Sequence, residues 1–241
     1  MKKHIPNFLT CCNLAAGCVA AVMALQGEYG VAMLCVILSA VFDFFDGMAA
    51  RALHAHSPIG KDLDSLADNV SFGFVPAAAV FTCLKDFDYA GCTPWVAAYL
   101  PYIAFLISVF SALRLAKFNV DTRQTSSFIG LPVPANALFW MALVLHYRES
   151  LMDIPAMGGL WALIAMVVLF SYLLVAELPM FSLKFKSLRW ADNKISYLFL
   201  IVCIPLLVWL GTASFAWIII WYILLSACTA RKVSSGSAVQ K

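Results

Sequence analysis

What most constrains this chain is the recurrence of apolar stretches about as long as a lipid bilayer's hydrocarbon core is thick. A helix crossing that core needs about 20 mostly apolar residues. Eight such windows can be drawn, at 8–25, 31–53, 66–84, 95–115, 132–147, 160–177, 195–210 and 213–230. The rest of the composition agrees: 63% of the 241 residues are hydrophobic and 12% are charged, against about 25% charged in a soluble domain. The expected fold is an all-α integral membrane protein of about eight transmembrane helices. No internal repeat, low-complexity tract or long linker interrupts it, so residues 1–230 read as a single domain and 231–241 as a short flexible tail.

Lys and Arg favour cytoplasmic loops, and their distribution sets the expected orientation. With the N-terminus inside, the inner segments hold Lys2, Lys3, Arg51, Lys61, Arg114, Lys117, Arg123, Lys184, Lys186, Arg189, Lys194, Arg231, Lys232 and Lys241, and the outer ones only Lys85 and Arg148. That division, 14 against 2, places both termini in the cytoplasm. The net charge of +3 thus follows from topology and does not point to a nucleic-acid partner.

The eight cysteines form no CxxC pair and lie mostly inside the windows, so they read as small buried apolar residues, not as a disulfide or zinc framework. Lys2, Lys3 and the run after them imitate a signal peptide, and Ala15 to Cys18 faintly imitates a lipoprotein processing site. The run contains Asn13 and continues past Cys18 to Leu25, which favours an uncleaved first helix. Pro132 and Pro134 fall at the mouth of the fifth window, where a missing donor matters least. Pro76 and Pro205 lie deeper and are expected to kink their helices.

Ionised side chains inside such windows are costly, roughly 2.5–3.5 kcal/mol each at a helix centre, and here they cluster. Asp43 and Asp46 stand toward the inner end of the second window, and Asp64 and Asp68 begin the third. At about 100° per residue, each pair shares one helix face. The two windows are consecutive and joined by the inner loop 52–63, so the four carboxylates can meet in one pocket at the cytoplasmic side. Four like charges in a partly desolvated pocket repel, and divalent cations resolve that. An all-oxygen set suits Mg²⁺, Mn²⁺ or Ca²⁺ and argues against zinc. Two ions could bridge a diphosphate and neutralise a leaving group.

The neighbours suit a phosphorylated ligand. Gly47, Ala49 and Ala50 keep the helix surface low beside the acids, and Arg51 offers a bidentate phosphate partner. Ser57, Gly60 and Lys61 add a hydroxyl, an open backbone and a second positive charge. Taken singly, Gly47 and Ala50 would be helix-packing residues, and Arg51 and Lys61 inner-face anchors.

Taken together, Asp43, Asp46, Gly47, Ala50, Arg51, Gly60, Asp64 and Asp68 match the whole signature D(x)2DG(x)2AR(x)8G(x)3D(x)3D, and the chain resembles the CDP-alcohol phosphotransferase family. The segments IPNFLTCCNLAAG, SLADNVSFGFVPA, SALRLAKFN and FIGLPVPANA resemble its phosphatidylserine synthase branch. The resemblance covers about the first 140 residues; the last 100 offer only compatible apolar windows.

That resemblance implies a direct displacement in which the hydroxyl of L-serine attacks the β-phosphorus of CDP-diacylglycerol, giving phosphatidylserine and CMP. It implies metal binding by Asp43, Asp46, Asp64 and Asp68, with Asp68 also the catalytic base. Asn7, Thr10, Gly47 and Ala50 would line the nucleotide pocket, and Arg51, Ser57, Gly60 and Lys61 would hold phosphates. Asn7 and Thr10 would equally serve as caps of the first helix. It further implies two Mg²⁺ or Mn²⁺ ions per site, a homodimer, and a bacterial-type inner membrane with the site facing the cytoplasm.

A serine site must satisfy a carboxylate and an ammonium, so a buried Arg with an oxygen acceptor nearby is expected. Arg114 and Asn119 are the candidates, although Arg114 also suits a topological anchor. Glycerol phosphate or inositol phosphate would want basic residues too, so serine rests on the resemblance. An ion-coupled transporter is the rival from another class, disfavoured by acids near one surface and by the lack of an inverted repeat. A scaffold subunit would leave the four charges uncompensated.

Overall fold

The computed structural model describes residues 4–53, 58–89, 91–121, 128–180 and 193–238. Ser57 lies outside them, as do the basic residues Lys2, Lys3, Arg123, Lys184, Lys186, Arg189 and Lys241. Each of the eight sequence windows falls on a helix or a continuous helical run. The first is α1 (His4–Leu25) and the second α2 (Tyr29–Ala52). The third run joins α3 (Gly60–Asp68), a π-helical turn (Asn69–Phe74) and α4 (Val75–Lys85). The fourth joins α5 (Pro94–Tyr99), a 3-10 stretch (Leu100–Phe105) and α6 (Leu106–Val120). Then follow α7 (Val133–Met152), α8 (Gly158–Val175), α9 (Lys194–Leu210) and α10 (Ser214–Ala238).

Six runs among the described residues are long and apolar enough to cross a membrane, against eight windows drawn from sequence. The two counts differ because α7 is less apolar, carrying Asn136, His146, Arg148 and Glu149, and because α9 and α10 run together as one apolar stretch from Ile195 to Thr229. The third run starts earlier than its window, at Gly60, so Asp64 and Asp68 stand within a formed helix and the loop before it is shorter than 52–63. The last helix continues to Ala238, through most of the stretch read as a tail.

The architecture is all helix apart from one short pairing. Phe128–Ile129 (β1) and Pro179–Met180 (β2) form an antiparallel two-residue bridge. Beside it Gly130 donates to the Leu178 carbonyl and Leu131 to the Leu173 carbonyl. Gly130 has φ +77°, and a Cβ there would stand 2.5 Å from the Leu174 carbonyl oxygen; glycine alone fits both demands. The bridge fastens the entrance of α7 to the exit of α8.

The α1–α2 hairpin shows how tightly the site elements are set. Gly27, at φ +80°, ends α1 in a left-handed residue, with Glu28 N–H bonding Met23 C=O and Gly27 N–H bonding Ala24 C=O. This closing motif satisfies carbonyls that a helix end leaves orphaned. Small side chains then let the two helices touch: Ala20, Ala24, Ala32 and Val36 are wholly buried. Gly17 performs the same service toward the third run, where a Cβ would fall 2.9 Å from the Ser71 Cα.

The π-helical turn has a local cause. Pro76, in the first turn of α4, has no N–H to return to the preceding turn. Just before it, Val75 N–H reaches the Val70 carbonyl, a bond five residues back. The expected distortion at Pro76 thus takes the form of a widened turn, directly after Asp68. The core lies around α4 and α7, with Ala77, Ala78, Ala79, Val80 and Trp140 fully buried and Phe139 stacked on Phe170 at 3.9 Å. All eight cysteines are free thiols.

Candidate active site

Two helices bring the acids together. One ligand oxygen from each of Asp43, Asp64 and Asp68 lies within 4.8 Å of the others. Two oxygens on opposite sides of a Mg²⁺ or Ca²⁺ stand about 4–5 Å apart, given ligand distances of about 2.0–2.6 Å, so the three converge as a cation would require. Asp64 Oδ1 is buried with no hydrogen-bond partner among the described residues. An oxygen lone pair kept from water without a donor is costly, and a metal ion would satisfy it. Asp46 stands apart from this trio yet within electrostatic reach of Asp43, Asp64 and Asp68. The donor set contains no His or Cys, so it fits a hard divalent cation.

The first helix brackets the acids from the other side. The Thr10 hydroxyl donates to Asp46 Oδ2 at 2.6 Å, with the Pro6 carbonyl 3.1 Å away in its own helix. Asn13 Nδ2 donates to Asp68 Oδ1 at 3.1 Å. Asn13 is itself fully buried and fixed at its backbone, because its carbonyl accepts the hydroxyls of Ser39 from α2 and Ser71 from the π turn, both at 3.1 Å. Thr10 and Asn13 are one turn apart on α1, so a single face of that helix serves both pairs of acids.

The remaining sequence candidates distribute as follows. Gly47 and Ala50 are half-buried on α2, and the exposed Arg51 folds back over Gly47, its Nη1 3.4 Å from where a Cβ would stand. Asn7 is half-buried in the first turns of α1. Gly60 opens α3. Lys61 is exposed and donates to the Asn119 carbonyl at 2.5 Å, while Asn119 Nδ2 donates to Ser65 Oγ at 2.8 Å. Asn119 therefore ties α6 to α3. Arg114 is 6% exposed, within electrostatic reach of Asp68, and its guanidinium lies 5.0 Å from the centre of the Phe118 ring.

Sequence reasoning passed over Asn13, Ser39, Ser65 and Ser71. The available signal was the spacing of Asn7, Thr10 and Asn13 by threes in an otherwise apolar helix, which puts three polar groups along one flank.

An all-helical membrane protein with a carboxylate-lined site between its second and third helical runs belongs to a narrow class. The chain belongs to the CDP-alcohol phosphatidyltransferase family, whose model matches residues 3–174. Among curated relatives, the CDP-diacylglycerol--serine O-phosphatidyltransferase of Bacillus subtilis (strain 168) is 34% identical over 161 residues, 65% of this chain and 84% of the relative. The archaetidylserine synthase of Methanothermobacter thermautotrophicus is 31% identical over 137 residues, covering 56% of this chain and 54% of the relative. The CDP-diacylglycerol--serine O-phosphatidyltransferase of Mycobacterium tuberculosis (strain H37Rv) is 32% identical over 186 residues, 73% of this chain and 60% of the relative. The helices α9 and α10 lie beyond the family match.

Proposed function

We propose that this chain transfers the phosphatidyl group of CDP-diacylglycerol to the hydroxyl of L-serine, releasing CMP. The observation that carries the reading is the convergence of Asp43, Asp64 and Asp68 within 4.8 Å in a chain of this family, and the relatives' names supply the acceptor. Asp43, Asp46, Asp64 and Asp68 would hold Mg²⁺ or Mn²⁺, two ions per site. Bound there, the ions would supply charge neutralisation for the diphosphate.

The protein's own part is to hold and to move a proton. A bond forms between the serine Oγ and the β-phosphorus, the bond from that phosphorus to the CMP oxygen breaks, and the serine hydroxyl proton passes to Asp68. Asn13 donates to Asp68 Oδ1, which would hold the carboxylate in place as it receives that proton. By motif position, Arg51, Ser57, Gly60 and Lys61 would hold the diphosphate, and Asn7, Thr10, Gly47 and Ala50 would flank the nucleotide. Arg114 and Asn119 would serve the acceptor. The excess of basic residues on one side supports both termini and the site facing the cytoplasm of a bacterial-type inner membrane; the apolar windows of the sequence are the support for eight crossings, and the family likeness is the support for a homodimer.

The test is the purified full-length chain with CDP-diacylglycerol, with CMP release measured against serine, glycerol phosphate and inositol phosphate in parallel. Turnover is expected with serine, lost on chelation and regained on adding Mg²⁺ or Mn²⁺. Product from another acceptor alone would move the assignment within the family, and turnover after thorough chelation would remove the metal.

A further inference from the structure

Next to Asp68 lies a second group of polar atoms, of which the reaction as drawn uses only Arg114. Asn69 Oδ1, Ser111 Oγ and Arg114 Nε are all buried, and none has a hydrogen-bond partner among the described residues. Ser111 is wholly buried and Arg114 nearly so. Orphaned buried polar atoms cost about 1–3 kcal/mol each, and native proteins keep few. Three in one place call for a ligand.

Their placement is built in. The π turn begins at Asn69, immediately after Asp68, and packs against α6. Ser111 and Arg114 are three residues apart on α6 and share its face. Gly73 marks where the two walls meet: a Cβ there would stand 2.8 Å from Asn69 Oδ1 and 3.0 Å from Ser111 Cβ. Only the absence of a side chain at 73 lets the Asn69 carbonyl oxygen and the Ser111 side chain converge. The Phe118 ring lies beneath the Arg114 guanidinium and helps fix its plane.

We propose that Asn69 and Ser111 are the specificity-determining residues that accept the ammonium group of the amino-acid acceptor, while Arg114 takes its carboxylate. The inference rests on the serine reading and deepens it. Two oxygen acceptors and one guanidinium complement a zwitterion. A phosphorylated alcohol would bring about −1.5 to −2 charges to face the Asn69 oxygen and the nearby carboxylates, which repel it and attract an ammonium. The choice of acceptor, which basic residues leave open, is thus made by neutral oxygens.

The experiment measures KM for serine and for CDP-diacylglycerol in the full-length enzyme and in Ser111→Ala, Asn69→Leu and Asn69→Asp. Losing one hydrogen bond to a charged group should raise the serine KM about tenfold in Ser111→Ala and Asn69→Leu, with the KM for CDP-diacylglycerol unchanged. Asn69→Asp keeps an oxygen acceptor and should raise the serine KM less than Asn69→Leu does. With 3-hydroxypropionate, which has the hydroxyl and carboxylate but no ammonium, the variants should match the wild type. An unchanged serine KM in Ser111→Ala and Asn69→Leu overturns the proposal, as does an equal penalty with 3-hydroxypropionate. If the unsubstituted enzyme gives no product with serine, the serine reading itself fails, which this panel separates from a failure of the ammonium site alone.

Discussion

The third helical run and α9 each carry a proline within an apolar stretch, and the two prolines have different consequences. Pro76 follows a π turn whose residues Asn69, Ser71 and Gly73 all face neighbours in the site region. Pro205 sits inside α9, among Ile201, Ile204 and Val208, all exposed, in a part of the chain beyond the family match. A proline in a membrane helix is ordinary. What matters is whether the freed backbone lies against polar partners or against lipid.

That comparison can be broken at three levels. The largest effect belongs to the acid that ends α3. Asp68→Asn should lower CMP release by about 10²- to 10⁴-fold while the protein stays membrane-inserted and folded; near-normal turnover would remove Asp68 as the base. Next comes the bracket on it. Asn13→Leu keeps the volume but drops the hydrogen bond to a carboxylate, about 1.5–3 kcal/mol. The expected result is a kcat reduced about 10- to 100-fold with the serine KM unchanged; a rise in KM with kcat intact would make Asn13 a binding residue instead. The smallest effect is expected at the other proline. Pro205→Ala should leave turnover within about twofold and raise Tm, since it restores a helix N–H. A collapse in activity would show that α9 reaches the chemistry.

Much of the site could be read from the linear chain, for a physical reason. Helical periodicity turns a spacing of three or four into a shared face, so the pairing of Asp43 with Asp46 and of Asp64 with Asp68 could be inferred without coordinates. Burial of a cationic residue is likewise suggested when Arg114 sits amid apolar neighbours. Partners drawn from distant helices carry no such periodic mark. Asn13 meets Asp68 across 55 residues, and Asn119 meets Ser65 across 54. Hydropathy alone puts Lys61 and Asp62 in the loop, yet Asp62 sits in the first turn of a helix, where an acid is favourable. The β1–β2 bridge depends on one glycine's backbone and the Leu174 carbonyl, and two paired residues leave no alternation to read.

The bracketing by α1 bears on how such a charged site enters a membrane at all. A chain is made from its N-terminus, so Thr10 and Asn13 are in place before Asp46 and Asp68 emerge. Those two acids do not have to wait in hydrocarbon for partners from later helices. The first helix acts as a template laid down in advance, and the carboxylates of Asp46 and Asp68 each arrive to a donor already there.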